Sequence, residues 1–195
     1  MSYRTNMYPG MTVEMGTAEI GCSRKLFDGV FATGGITLSQ VAVMTGLEPY
    51  QVQNWVKRGF VTSPVKRMYS KKQFARIVII NMLKESLQIE KICELIKIIS
   101  GVPEDESDDL ISDEELYHHY VDLLVSSEID ILKGESVAAA AMAAACACEE
   151  RLPNSRATLA HIFEVMIYAH AAVLLRRKSD EIFMTLQEGH KEKSI

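Results

Sequence analysis

The chain has 195 residues, of which 48% are hydrophobic and 24% are charged, and its formal net charge is −5. This length fits one domain or a small pair with a packed core. No uninterrupted apolar run reaches the ~18 residues of a membrane span, and no secretory signal begins the chain. The four cysteines follow no disulfide framework. We therefore expect a cytoplasmic protein with reduced thiols and no membrane contact.

The charge is unevenly distributed, although the net value alone argues against a nucleic-acid partner. Residues 37–100 contain ten Lys and Arg against four Glu, a net charge of +6. Residues 101–195 contain eight Lys and Arg against nineteen Asp and Glu, a net charge of −11. A basic part joined to an acidic part predicts a DNA-binding head with a separate oligomerisation or effector part.

Residues 1–35 form an N-terminal arm of weak periodicity. A short apolar patch at residues 26–31 precedes a break at Gly34-Gly35. We expect mobile or extended chain that packs on the domain or on a partner.

Two short helices are predicted next, joined by a turn at Gly46. Thr37 is a suitable N-cap for the first helix, in which Leu38 and Val41 have helical spacing. Pro49 lies in the first turn of the second helix and Gly59 lies just past its end, the usual asymmetry of helix termini. Two helices joined in this way predict a helix-turn-helix.

The second helix has an apolar face and a polar face. Val52, Trp55 and Val56 have the spacing of a packed face. The residues left facing outward are Gln51, Gln53, Asn54, Lys57 and Arg58. Amide and guanidinium side chains pair with base edges, and cations neutralise phosphates. We therefore expect this helix to enter the major groove of duplex DNA.

The following segment predicts a small hairpin, or wing. Phe60-Val61 and Met68-Tyr69 could form two short strands around Pro64, with Lys66 and Arg67 at the tip. The alternative is an ordinary solvated basic turn. We favour a phosphate-binding wing because cations converge in the sequence here, at Lys57, Arg58, Lys66, Arg67, Lys71 and Lys72.

The order of these features resembles the MerR-type winged helix-turn-helix. That family has Arg-aromatic-aromatic-Glu at the end of its second helix and Arg-x-Tyr-Ser in the wing, which Arg67-Met68-Tyr69-Ser70 matches. The resemblance implies that Tyr69 belongs to the DNA-binding set. Gln53 and Asn54 stand where the family has Arg and an aromatic, and Val56 replaces its Glu. The resemblance therefore implies the fold more firmly than the individual DNA contacts.

A second resemblance is to the uncharacterised bacterial family called domain of unknown function 1836. Its members have Asn-Tyr-Val-Lys, Pro-Val-Lys-Lys-x-Tyr-Ser and Leu-Lys-x-x-Leu-x-Ile. The corresponding segments are Asn54-Trp55-Val56-Lys57, Pro64-Val65-Lys66-Arg67-Met68-Tyr69-Ser70 and Leu83-Lys84-Glu85-Ser86-Leu87-Gln88-Ile89. This resemblance implies a family without a known activity.

The remaining segments predict more helices. Ser70 and Gln73 form a capping box that opens a helix to about Glu85, and another helix spans residues 88–99. Residues 101–110 predict an acidic linker. In residues 111–195 we expect a helix from Ser112 to about Leu132, an Ala-rich helix over 137–148 and a last helix over 155–187.

Metal-binding and catalytic alternatives are weaker. Cys146 and Cys148 resemble a ligand pair, but residues two apart on a helix point in nearly opposite directions. His118-His119, or His161 with Glu164 and His170, could form a metal or acid–base site, yet no known motif includes them. We expect no enzyme activity and no cofactor.

The sequence thus predicts an all-α protein. It has a MerR-like winged helix-turn-helix at residues 36–100, with a small β-wing, and a C-terminal helical domain at 111–195. We expect a transcriptional regulator that binds double-stranded DNA and forms a homodimer through its C-terminal helices. The effector, if one exists, is not identified. The competing interpretation is a helix-turn-helix that binds protein instead of DNA.

Overall fold

The computed structural model describes residues 6–100 and 109–192, in which helices dominate, as expected for the all-α class. The elements in this part of the chain are α1 (Cys22–Val30), β1 (Ile36–Thr37), α2 (Leu38–Thr45), α3 (Pro49–Lys57), β2 (Met68–Tyr69), α4 (Lys71–Leu83), α5 (Ile89–Ser100), α6 (Asp113–Ser126), α7 (Gly134–Ala147) and α8 (Ser155–Glu192).

The helix ends follow the capping signals of the sequence. Thr37 and Ser70 each open a helix through a complete capping box, with Gln40 and Gln73 as the reciprocal partners. Gly46 ends α2 with a φ of 69°. Helix α6 stops at Ser126, earlier than predicted. The predicted acidic linker lies mostly outside the described residues, except for Asp109 and Leu110.

The predicted wing strand at Phe60-Val61 is absent from the described structure, which is a correction. The backbone N–H groups of Phe60 and Val61 both donate to the carbonyl of Trp55, at 2.9 and 3.4 Å, and so complete the end of α3. Strand β2 pairs antiparallel with β1 instead, with Ile36 opposite Tyr69. The strand that precedes α2 therefore anchors the basic segment.

Residues expected to form a poorly defined arm contain a packed helix, α1. The ring of Phe27, which is 1% exposed, lies 5.4 Å from the ring of Phe74 on α4 and 5.6 Å from that of Tyr117 on α6. A single hydrophobic core continues from Tyr8 to Ala169. This core contains residues from both sides of the predicted linker, such as Ile99 and Ile111.

Helix α8 is the longest element and contains the most apolar segment. By length and composition, Ser155–Glu188 could cross a membrane, with a mean hydropathy of 1.6 in its most apolar window. In this structure, 56% of that window is buried inside the protein, and buried core helices pass the same test of length and composition.

The segment before α1 completes the end of α2. The N–H of Thr12 donates to the carbonyl of Met44 at 2.8 Å, and its hydroxyl donates to the carbonyl of Val43 at 2.6 Å. The amide of Asn81 on α4 donates to the carbonyls of Thr45 and Gly10, both at 2.9 Å. The last carbonyls of a helix need such partners, so residues 10–12 and α4 together fix the turn between α2 and α3.

The substitution Asn81→Leu tests this arrangement. It removes both amide hydrogen bonds and leaves two carbonyls without those donors, which should lower the free energy of unfolding by about 1–3 kcal/mol. Thermal or urea unfolding measures the loss. The same substitution at the exposed Asn54 serves as the control and should leave stability nearly unchanged. Equal stability of the two variants would contradict the role of Asn81.

Candidate nucleic-acid interface

Helix α3 presents one polar face to solvent. Val52 and Trp55 are buried, whereas Gln53, Asn54 and Lys57 are exposed. Tyr50 is 60% exposed and completes an i, i+3, i+4, i+7 series with these three residues. The nine residues of α3 make a helix about 14 Å long, and the diameter of an α-helix, about 10–12 Å with side chains, suits a major groove about 12 Å wide.

A tight turn displays two adjacent cations. Lys66 and Arg67 have φ values of 50° and 64°, and the N–H of Met68 donates to the carbonyl of Val65 at 2.9 Å. Positive φ at both central positions is typical of a type I′ turn, which usually contains Asn or Gly there. Left-handed backbone costs roughly 1–2 kcal/mol per residue for other side chains. The backbone is therefore strained at Lys66 and Arg67, and the side chains of both residues are exposed to solvent.

The loop before this turn is held by one side chain. The amide nitrogen of Gln73 donates to the carbonyls of Thr62 and Ser63, both at 3.0 Å, and to the hydroxyl of Thr62 at 3.1 Å. Its amide oxygen accepts from the N–H of Ser70 at 2.9 Å. The capping residue of α4 thus also fixes the loop that carries the tip.

The predicted phosphate-binding cations divide into two groups. Arg58 pairs with Glu90 at 3.1 Å and lies over the ring of Phe60. The ammonium of Lys71 is 2.5 Å from Asp28, and that of Lys72 is 3.9 Å from Asp109. Lys57, Lys66 and Arg67 are exposed and form no ion pair within the described residues. We call Lys57, Lys66 and Arg67 the open cations, and Arg58, Lys71 and Lys72 the paired cations.

Two other predicted site residues lie elsewhere than expected. Tyr69 is only 3% exposed, because β2 turns it into the core opposite Ile36, so the expectation that it contacts DNA is corrected. Burial also raises the pKa of its phenol. The side-chain oxygen of Gln51 accepts from the N–H of Glu48 at 3.0 Å, so Gln51 caps α3.

Sequence reasoning missed four residues of this surface. Tyr50 could have been found, since its spacing from Asn54 and Lys57 is helical. The carboxylates of Asp28, Glu90 and Asp109 neutralise the paired cations, and each comes from a different element or loop. Local patterns in the sequence do not predict these long-range ion pairs.

The metal alternative has no assembled ligand set among the described residues. Cys146 is exposed, whereas Cys148 is buried with its thiol 3.2 Å from the carbonyl of Ala144, and burial raises its pKa to about 12. His161 and Glu164 form an exposed pair at 3.3 Å. Within residues 6–100 and 109–192, no group of three or more His, Cys, Asp or Glu could hold a metal ion.

Two histidines, His118 and His170, are buried in the core and lie within hydrogen-bond distance of hydroxyl groups. His118 lies 2.9 Å from the hydroxyl of Ser23, and His170 lies 3.0 Å from that of Tyr120. Burial lowers the pKa of each imidazole to about 4, and for His118 the nearby Arg24 adds to this effect. Both imidazoles are therefore neutral at pH 7 and link helices across the core.

Comparison with known proteins gives a family-model match that covers the basic segment. Residues 36–120 match the family model described as Domain of unknown function (DUF1836). The match supports the DUF1836 family. It begins at β1 and ends in α6, so the DUF1836 segment includes α3, the tip and all six open and paired cations. No curated protein and no solved structure matches the chain.

The buried histidines predict acid sensitivity. The unfolded chain binds protons with a histidine pKa of about 6.5, above the folded value of about 4 for His118 and His170. Stability should therefore fall as the pH drops from 6.5 towards 4, by up to roughly 1.4 kcal/mol per pH unit for each histidine.

Urea unfolding across this pH range measures the slope. Replacing His118 or His170 by Gln should reduce the slope of the free energy of unfolding against pH. A slope that is unchanged by both core substitutions would contradict the assignment.

Proposed function

We propose that this protein is a DNA-binding transcriptional regulator whose α2–α3 unit acts as a MerR-like winged helix-turn-helix. The observation that carries the proposal is that Gln53, Asn54 and Lys57 are exposed on α3 and that Lys66 and Arg67 are exposed at the turn before β2. Asn and Gln pair with adenine in the major groove, and the cations neutralise phosphates.

The strained tip supports a functional role for its charges. A type I′ turn with Asn or Gly at residues 66 and 67 would be more stable, so the positive φ of two long cations is unfavourable for folding alone. Backbone strain of this kind is concentrated at functional sites. In this proposal, Lys66 and Arg67 lower the stability of the turn and provide two phosphate contacts.

The proposed homodimer has a candidate seam on α8. Seven exposed positions follow alternating steps of three and four residues, namely Val165, Tyr168, Ala172, Leu175, Ser179, Ile182 and Leu186. This is the spacing of a coiled-coil seam. The end of α8 is exposed from residue 175 to 188, and a projecting helix of this length is marginal alone in water. A second copy would cover it.

A protein-interaction module is the second candidate. The net charge of −5 and the exposed Val43 and Tyr50 on α2 and α3 favour it, because apolar side chains on this face suit a protein surface. The two functions differ in their dependence on salt.

Fluorescence anisotropy of the full chain on random duplex DNA, at ~50 and ~200 mM salt, tests the proposal. Counterion release predicts affinity that falls steeply with salt. Absence of binding at the lower salt concentration would reject DNA binding and favour the interaction module.

The double substitution Lys66→Asn with Arg67→Gly separates the charge of the tip from its fold. Asn-Gly suits the type I′ turn, so the free energy of unfolding should rise by about 1 kcal/mol or more. DNA affinity should fall, and the slope of log affinity against log salt should decrease by roughly 0.9 for each phosphate that the tip no longer neutralises. Undiminished DNA affinity in the stabilised variant would remove the tip from the interface.

Sedimentation velocity of Ile182→Glu tests the dimer. A charge in the seam should convert the dimer to a monomer at micromolar concentration. Met184→Glu is the matched control, because Met184 is similarly exposed on α8 but lies off the seam. The same oligomeric state in both variants and the wild type would reject this seam.

A further inference from the structure

Helix α8 leaves the body of the protein at Arg176 and Arg177. Val173 is buried, whereas every residue from Leu175 to Glu188 is exposed. These fourteen residues correspond to about 20 Å of helix. The side-chain contacts at this exit are therefore the last described contacts between α8 and the body of the protein.

Glu85 receives both arginines at this exit. Its carboxylate lies 2.6 Å from Nη2 of Arg176 and 2.8 Å from Nη2 of Arg177. Its backbone carbonyl also accepts from Nη1 of Arg176 at 3.2 Å. One acidic residue, two positions beyond the end of α4, thus binds two successive side chains of α8.

The residue next to Glu85 also contacts α3. The ammonium of Lys84, next to Glu85, lies 5.9 Å from the ring centroid of Trp55 on α3. Trp55 is the single tryptophan of the chain and is nearly buried. Charges on α8 are therefore linked to α3 through two adjacent residues, Lys84 and Glu85.

These ion pairs are poorly suited to a purely stabilising role. The side chains of Arg176 and Arg177 are 54% and 59% exposed, and water screens such pairs. Three hydrogen bonds to one residue nevertheless constrain the orientation of α8 at this point, since a planar guanidinium donates well only in a narrow range of geometries.

We propose that Glu85 is a positioning residue that fixes the direction in which α8 leaves the body relative to α3. The consequence for DNA rests on the proposed function: in a dimer joined through α8, this direction sets the separation of the two α3 helices. The separation of half-sites in a two-fold DNA site follows from that distance.

The first test needs no DNA. Emission of Trp55 and small-angle X-ray scattering are measured on the full chain for Glu85→Gln and for Arg176→Gln with Arg177→Gln. Both variants should shift the Trp55 emission in the same direction and alter the scattering profile, with little change in melting temperature. Lys178→Gln is the control, because Lys178 lies on the same turn but pairs with Glu181.

Rescue distinguishes positioning from general damage. Exchanging the charges, with Glu85→Arg, Arg176→Glu and Arg177→Glu together, should restore the wild-type emission and scattering. Wild-type emission and scattering in the two glutamine variants would overturn the proposal, as would a charge exchange that restores neither signal.

A series of duplexes with different half-site spacings tests the consequence for DNA. The glutamine variants should lose the spacing preference of the wild type while keeping its affinity for random duplex. An unchanged preference would overturn the link to DNA. Failure of the wild type to bind any duplex would reject the proposed function, while the emission and scattering results would still decide the role of Glu85.

Discussion

The packing of Phe27 is the constraint on which the rest of the structure depends. Its ring contacts Phe74 on α4 and both Tyr117 and His118 on α6. Because α4 also carries the capping residues that hold the tip and the end of α2, the position of α3 depends on this aromatic cluster. The segment before the DUF1836 match is therefore part of the scaffold, and α6 connects that scaffold to α7 and α8.

Ion pairs within the protein also divide the cations of the basic segment into paired and exposed ones. Carboxylates from α1 and the segment before α6 pair with Lys71 and Lys72 on α4, and a carboxylate from α5 pairs with Arg58 at the end of α3. Of the six cations predicted to bind phosphate, Lys57, Lys66 and Arg67 are exposed and form no ion pair within the described residues. An acidic protein can thus present a local cationic face, because its negative charge lies mainly in the C-terminal half.

Local signals in the sequence predicted the local structure. The caps at Thr37 and Ser70 and the glycine at the end of α2 are short-range features, and the structure confirms them. Long-range features were not predictable in this way. Residues more than thirty positions apart meet where β2 pairs with β1, which buries Tyr69 opposite Ile36. The same is true of the ion pair between Lys71 and Asp28. The sequence predicted Lys66 and Arg67 at the tip of a hairpin, but not the left-handed backbone of that turn, since Lys66-Arg67 lacks the Asn or Gly that marks a type I′ turn.

The division between open and paired cations can be tested directly. Two triple variants of the full chain, one with Lys57, Lys66 and Arg67 changed to Gln and one with Arg58, Lys71 and Lys72 changed to Gln, are titrated onto random duplex DNA over a range of salt concentrations. We expect the salt slope of the first variant to decrease by roughly 0.9 for each phosphate that is no longer neutralised, whereas the second should retain most of its slope. Equal decreases in the two variants, or a larger decrease in the second, would contradict the division.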